Sequence, residues 1–250
     1  MSISLSYEQS HIHSVNTLKI LNRYQSYVDN IKNVCDMGCG IGLDAFWFAN
    51  LMKDDDTHRN INVNAVDINL DTTRLLSHPN IKYHHADFNN TSIVASTQDL
   101  IWAHSSLQYS LSPFVTLMHW WDLLKDDGML LITVPYNFSI YNNKEILNVN
   151  STYSNGCYFN WTMGNLILIL AASGFDCRFG HFKIDKESNY LQAAVYKLTE
   201  KPDPYMNWYD MCDQKMLPVT VENSIRQNGN FNDIDIVVEW IDRTQYMLSI

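Results

Sequence analysis

Asp36, Gly38, Cys39, Gly40 and Gly42 stand in a D-x-G-x-G-x-G run that directly follows a short apolar segment. Glycines at this spacing allow a tight turn and let a ligand approach the backbone closely. Loops that cradle a pyrophosphate at a helix start use G-x-G-x-x-G. Here the third glycine comes one residue earlier and an acid precedes the first. A carboxylate in that place repels a pyrophosphate and favours a ligand carrying an ammonium group. Asp67 and Asp87 close the next two apolar segments. A carboxylate at the end of a second strand can accept both hydrogen bonds of a ribose diol. Asp87 can accept from the exocyclic amine of adenine. Acids at successive strand ends line one crevice, the place where open α/β sheets take their ligands.

The elements that must position these groups follow from periodicity. Apolar residues at steps of three and four over 11–31 predict an amphipathic helix. Strands are predicted at 33–36, 62–66, 81–84, 99–103 and 129–134, with helices at 42–51, 70–77 and 113–124 between them. Asp127-Gly128 reads as a turn before the fifth strand. A further helix over 165–173 leads into strands at 176–182 and 191–198, which have no helix between them and should pair antiparallel. The alternation predicts an open, mostly parallel sheet with helices on both faces. Residues 1–200 are expected to form this domain, the 11–31 helix capping its site. A polar, Pro-containing stretch at 200–204 marks the start of a C-terminal extension, 201–250, with no assigned role.

These residues carry a resemblance. The run from Asp36 to Gly42 is similar to the first motif of class I S-adenosylmethionine-dependent methyltransferases, Asp67 to their ribose acid, and Ala86-Asp87-Phe88 to their adenine-side motif. The segment from Asp99 through Ala103-His104-Ser105-Ser106-Leu107-Gln108-Tyr109 resembles the fourth-strand motif of small-molecule members, including the trans-aconitate methyltransferase type. The likeness spans roughly residues 30–200. It implies a Rossmann-like three-layer αβα sandwich, with a seven-stranded, mostly parallel sheet whose last strand is antiparallel. It also implies S-adenosyl-L-methionine as cofactor and S-adenosyl-L-homocysteine as product. By the same resemblance Gly38, Cys39 and Gly40 contact the methionine part, with Asp36 and the Ala103 carbonyl near its ammonium and His104 beside them. Asp67 and Ile68 flank the ribose, and Asp87 and Phe88 hold adenine.

Methyl transfer from a sulfonium is an in-line displacement, so the protein mainly aligns the reactants and excludes water. A base is needed only when the nucleophile arrives protonated. His104, just past the fourth strand, is the first candidate, followed by Tyr109, Gln108 and Tyr136. The aromatic connection at 135–161 could close over a planar or apolar acceptor. His11-x-His13 and His84-His85 lack a third ligand at useful spacing, so no metal is expected.

The chain has 250 residues and a formal net charge of −10, which argues against a nucleic-acid partner. A small-molecule methyl acceptor is expected instead. Transfer to a protein or nucleic acid, or cofactor binding without catalysis, are the competing readings. The longest apolar run is far short of the ~20 residues of a membrane span. The N-terminus is polar, and five Cys without a C-x-x-C pair fit reduced thiols. The expectation is a cytoplasmic enzyme of unassigned oligomeric state.

Overall fold

The structure is a computed structural model and describes residues 21, 25–51, 59–136, 159, 161–185, 190–203 and 205–229. In chain order the elements are α1 (Gln25–Val28), β1 (Asn33–Met37), α2 (Leu43–Ala49), β2 (Asn62–Asp67), β3 (Ile81–His85), β4 (Gln98–His104), a 3-10 turn (Leu107–Tyr109), α3 (Pro113–Leu123), β5 (Leu124–Pro135), α4 (Met163–Ala172), β6 (Phe175–Asp185), β7 (Tyr190–Lys197), α5 (Trp208–Asp213) and α6 (Val219–Asn228). They form one seven-stranded sheet in the order β3-β2-β1-β4-β5-β7-β6. Every pairing from β3 through β5 is parallel, whereas β7 runs antiparallel to both β5 and β6. This is the expected Rossmann-like sandwich.

The central strands are buried on both faces, which is why β4 and β5 read as near-continuous apolar runs. Alternate residues serve opposite layers. Cys35, Ile101, Ala103, Leu130 and Ile132 pack with α3 and α4. Val34, Leu100, Trp102, Met129 and Leu131 pack with Ala45 and Phe48 of α2 and with Leu21 and Val28. Trp102 meets Phe48 edge-on at 5.6 Å and donates its indole N–H to Asp44 at 2.9 Å. Burying such a side chain contributes about 1.5–3 kcal/mol. The buried residues of α5 and α6, Met211, Cys212, Val221 and Ile225, join the same core as α3 and α4.

Three expectations need correction. No helix forms at 70–77. The Asp71 carboxylate accepts from the backbone N–H and the hydroxyl of Thr73 at 3.1 and 2.6 Å, which closes a local turn that competes with a helix. β5 begins at Leu124, not 129. The expected turn at Asp127-Gly128 is a step inside the strand, where pairing jumps from Gln98–Leu124 to Leu100–Met129 and Asp127 takes φ 59°. β6 extends to Asp185. Of the 11–31 helix, residues 21 and 25–31 are described; α1 covers Gln25–Val28 and a turn follows at 29–30, and the others lie outside the described residues. Tyr27 ties this segment to the sheet by donating to the Asp99 carbonyl and accepting from Met129 N–H. Among the described residues no helix is long and apolar enough to cross a membrane.

Candidate functional site

The glycine loop leaves β1 over the carboxyl ends of the parallel strands. Gly38 and Cys39 donate their N–H groups to the Val66 carbonyl at 2.8 and 3.0 Å, which folds the loop back over β2. Gly38 and Gly40 take φ 81° and 55°, where a Cβ is strained. Their surroundings differ. A Cβ on Gly38 would stand 2.5 Å from the Ser106 Cβ, whereas nothing lies within 4 Å of one on Gly40. Gly38 is therefore a contact between the first and fourth strand ends, and Gly40 borders open space that a ligand can enter.

Asp36 sits in β1, paired across the sheet with Ala65 and Trp102, and is 2% exposed. Its Oδ2 has no hydrogen-bond partner among the described residues. Burial first, then the neighbouring Asp44 and Asp67, push its carboxyl well above the usual carboxylate range. Burial and the same carboxylates, Asp36 and Asp67, also raise the Cys39 thiol, so it stays protonated and is no nucleophile. Asp67 ends β2. Its Oδ2 accepts Gly40 N–H at 2.9 Å and its Oδ1 accepts Asn69 N–H at 2.8 Å. Each oxygen keeps a lone pair for a further donor, so this carboxylate shapes the loop and remains able to receive a diol.

Ile68, beside Asp67, is 54% exposed and offers an apolar surface. Asp87 lies exposed just past β3, its Oδ1 accepting from the backbone and side chain of Asn89 at 2.8 and 2.6 Å. Phe88 is half-buried against Trp120, whose indole donates to the Phe88 carbonyl at 3.0 Å.

At the end of β4, Ala103 is fully buried and His104 half-buried. The imidazole stacks between Trp102 and Tyr190, at centroid distances of 5.9 and 5.8 Å. His104 Nδ1 lies 2.8 Å from the Thr133 hydroxyl. The Ser105 hydroxyl accepts from Gln108 at 2.9 Å and meets the Tyr190 hydroxyl at 3.1 Å. Gln108 Oε1 and Ser106 Oγ are buried without a partner among the described residues. Tyr109 projects outward from the 3-10 turn, whereas Tyr136 is buried in the core next to its β-bridge with Trp161.

The structure thus brings Asp36, Gly38, Gly40, Asp67 and Ala103-His104 to one end of the sheet, with Asp87 and Phe88 after the neighbouring strand. Sequence reasoning missed Thr133, Tyr190 and Asp44. A lone hydroxyl inside the apolar run 129–134 was the available signal for Thr133. Tyr190 reaches His104 only through the antiparallel β7 and left no local signal. His84 and His85 make separate hydrogen bonds, to Asn64 and to the Ile68 carbonyl. No group of three ligating side chains occurs among the described residues. His11, His13 and most of 135–161 lie outside them.

Residues 35–132 match the family model described as a methyltransferase domain. No curated protein sequence matches the chain. Among solved structures, human N-acetylserotonin methyltransferase in complex with S-adenosylmethionine is similar at TM-score 0.54 and 16% identity, over 75% of this chain and 53% of that one. The Burkholderia thailandensis 1,6-didemethyltoxoflavin-N1-methyltransferase with bound S-adenosylhomocysteine is similar at 0.52 and 16%, over 73% and 77%. A SAM-dependent methyltransferase from Methanosarcina mazei is similar at 0.52 and 14%, over 71% and 97%. At these identities the likeness shows the fold. The domain match falls on the residues that build the crevice, and an open cradle at Gly40 beside a buried acceptor at Asp36 fits a ligand with an ammonium group. Residues 35–132 thus match a methyltransferase domain, on a fold shared with S-adenosylmethionine-dependent methyltransferases.

Proposed function

We propose that this enzyme moves the methyl group of S-adenosylmethionine to an oxygen, nitrogen or carbon nucleophile of a small molecule. The observation that carries the reading is Asp36, a buried carboxylate with an unpartnered oxygen at the mouth of an open glycine turn. An ammonium group supplies the donors and the charge that Asp36 lacks. The backbone of Gly38, Cys39 and Gly40 and the Ala103 carbonyl would hold the methionine part. Asp67 would receive the ribose hydroxyls, and Ile68, Asp87 and Phe88 would line the adenine. When bound, the cofactor supplies an activated methyl group on a positive sulfur.

The chain's own residues then orient and desolvate. His104 and Tyr109 would flank the acceptor, and Tyr136 could reach it only from the buried side. A small acceptor is supported by the acidic chain, whose net charge of −10 repels phosphate backbones. It is also supported by two structural neighbours named for small substrates. The trans-aconitate-like subtype stays part of this proposal, resting on the segment from Ala103 to Tyr109.

The test is calorimetry with S-adenosylmethionine and S-adenosylhomocysteine on the wild type and on Asp67→Ala. The expected result is micromolar binding that falls at least tenfold in the variant. A screen with labelled methyl donor against small molecules, RNA and protein then follows. Label transferred only to RNA or protein overturns the small-molecule reading, and no binding of either nucleoside overturns the site.

A further inference from the structure

The loop that follows β3 is fastened to α3 and to the segment just before it. The Trp120 indole donates to the Phe88 carbonyl at 3.0 Å, and His119 Nε2 accepts the Thr91 N–H at 3.0 Å. Both bonds act on the backbone of the loop. Asn89 adds a link of another kind, through its side chain. Its Oδ1 accepts from the hydroxyls of Ser110, at 3.0 Å, and Thr116. Both of these residues are fully buried, and Ser110 Oγ in turn accepts the Ser112 N–H at 3.1 Å.

The other arm of the same amide meets Asp87. Asn89 Nδ2 donates to Asp87 Oδ1 at 2.6 Å, beside the Asn89 backbone N–H at 2.8 Å. An ionised carboxylate only accepts, so the amide nitrogen must face Asp87 and the amide oxygen the two hydroxyls. Asp87 is exposed, and an exposed carboxylate left to itself spreads over several rotamers. Here both donors of Asn89 close on one of its oxygens. Oδ1 is occupied, and Oδ2 has no partner among the described residues. The chain makes a similar turn at Asp71, whose Oδ1 accepts the N–H and the hydroxyl of Thr73 at 3.1 and 2.6 Å. A hydroxyl two residues on thus holds a carboxylate oxygen as the amide does, without the second arm toward α3.

Resting on the proposed function above, in which Asp87 receives the adenine of the cofactor, we infer that Asn89 is a positioning residue that makes the site select a 6-amino purine. It occupies Oδ1 of Asp87 and leaves Oδ2, which can only accept, for the 6-position of the base. An exocyclic amine donates to that oxygen. A 6-oxo purine sets a second acceptor against it, and the two repel. The link to Ser110 and Thr116 fixes the amide that does the holding.

The experiment is calorimetry on the full-length protein with S-adenosylhomocysteine and its 6-oxo analogue, S-inosylhomocysteine. Asn89→Val and Asn89→Thr have nearly the same shape and differ by the hydroxyl that Asp87 can receive. The wild type is expected to bind the adenosyl compound about tenfold or more tightly than the inosyl one, the worth of one hydrogen bond to a charged group. In Asn89→Val, or in Asn89→Ala where the valine variant does not fold, that ratio is expected to fall about threefold or more. Asn89→Thr is expected to keep the ratio within about twofold of the wild type. A valine variant that weakens both compounds by the same factor, with the ratio intact, shows that Asn89 only supports the loop and overturns the inference. An equal loss of the ratio in the valine and threonine variants also overturns it, because the bond to Asp87 is then not what selects the base. Equal binding of the two compounds by the wild type overturns this inference alone. Binding of neither overturns the cofactor reading, and this inference with it.

Discussion

On the proposed reading, Asp36 concentrates the chemistry of the cofactor side in one carboxyl group. Burial and the nearby Asp44 and Asp67 raise it, so in the free protein it holds its proton to higher pH than an ordinary aspartate. An ammonium group reverses that preference by favouring the ionised form. Cofactor binding is therefore expected to release a proton from Asp36, and affinity to fall as pH drops through its raised value. A charged hydrogen bond of this kind is worth about 1.5–3 kcal/mol, so Asp36→Asn should weaken S-adenosylhomocysteine binding roughly tenfold to a hundredfold. Calorimetry in two buffers of different ionisation enthalpy measures the proton directly. Equal heats in both buffers below neutral pH, or proton release that survives Asp36→Asn, would assign the ammonium to other groups. The type and place of this residue were legible in the sequence, because an acid two residues before a glycine turn stands together with acids after the next two strands. Thr133 and Tyr190 were not, because they reach His104 only once β5 and β7 stand beside β4.

At the scale of the element, Gly38 and Gly40 share a left-handed backbone and differ in what surrounds them. A side chain in that conformation costs about 1–2 kcal/mol in either place. Gly38→Ala adds a collision with Ser106 at 2.5 Å and must push the segment after β4 away from the loop. Gly40→Ala meets no atom within 4 Å and instead fills space a ligand would use. Urea unfolding should show the larger stability loss in Gly38→Ala, while Gly40→Ala loses cofactor affinity out of proportion to its stability. The reverse order would mean that the packing against Ser106 is not what requires glycine. The strand ends that carry this loop were readable because parallel strands buried on both faces leave long apolar runs. The segment at 70–77 misled because Pro79 reads as a helix stop, yet the Asp71 side chain bonds the backbone two residues on and closes a turn. The start of β5 misled for a related reason. Asp127-Gly128 has turn chemistry, and the strand absorbs it as a local irregularity with Asp127 left-handed.

Over the whole molecule, two partly buried histidines set how stability answers acid. Burial lowers both His84 and His119 from the ordinary value of 6.5, helped at His84 by Lys82 and opposed at His119 by Asp122. His119 Nε2 accepts the Thr91 N–H at 3.0 Å, a bond that only the unprotonated nitrogen can make. A histidine whose folded value lies below its unfolded value binds its proton first in the unfolded chain. The stability it supplies is complete above pH 6.5 and is lost as pH falls from there through the lowered folded value. Asp36 acts with the opposite sign. Its folded value is raised, so the cost of ionising it is present above that value and is relieved as pH falls through it. The histidine contribution is isolated by comparing wild type with His119→Gln, whose amide oxygen can still accept from Thr91 but cannot titrate. Urea midpoints measured at pH 7.5 and pH 5.5 should fall for the wild type and fall less for the variant. An equal fall in both would show that His119 titrates alike in the folded and unfolded chain, and that its bond to Thr91 does not hold the loop after Phe88 against α3.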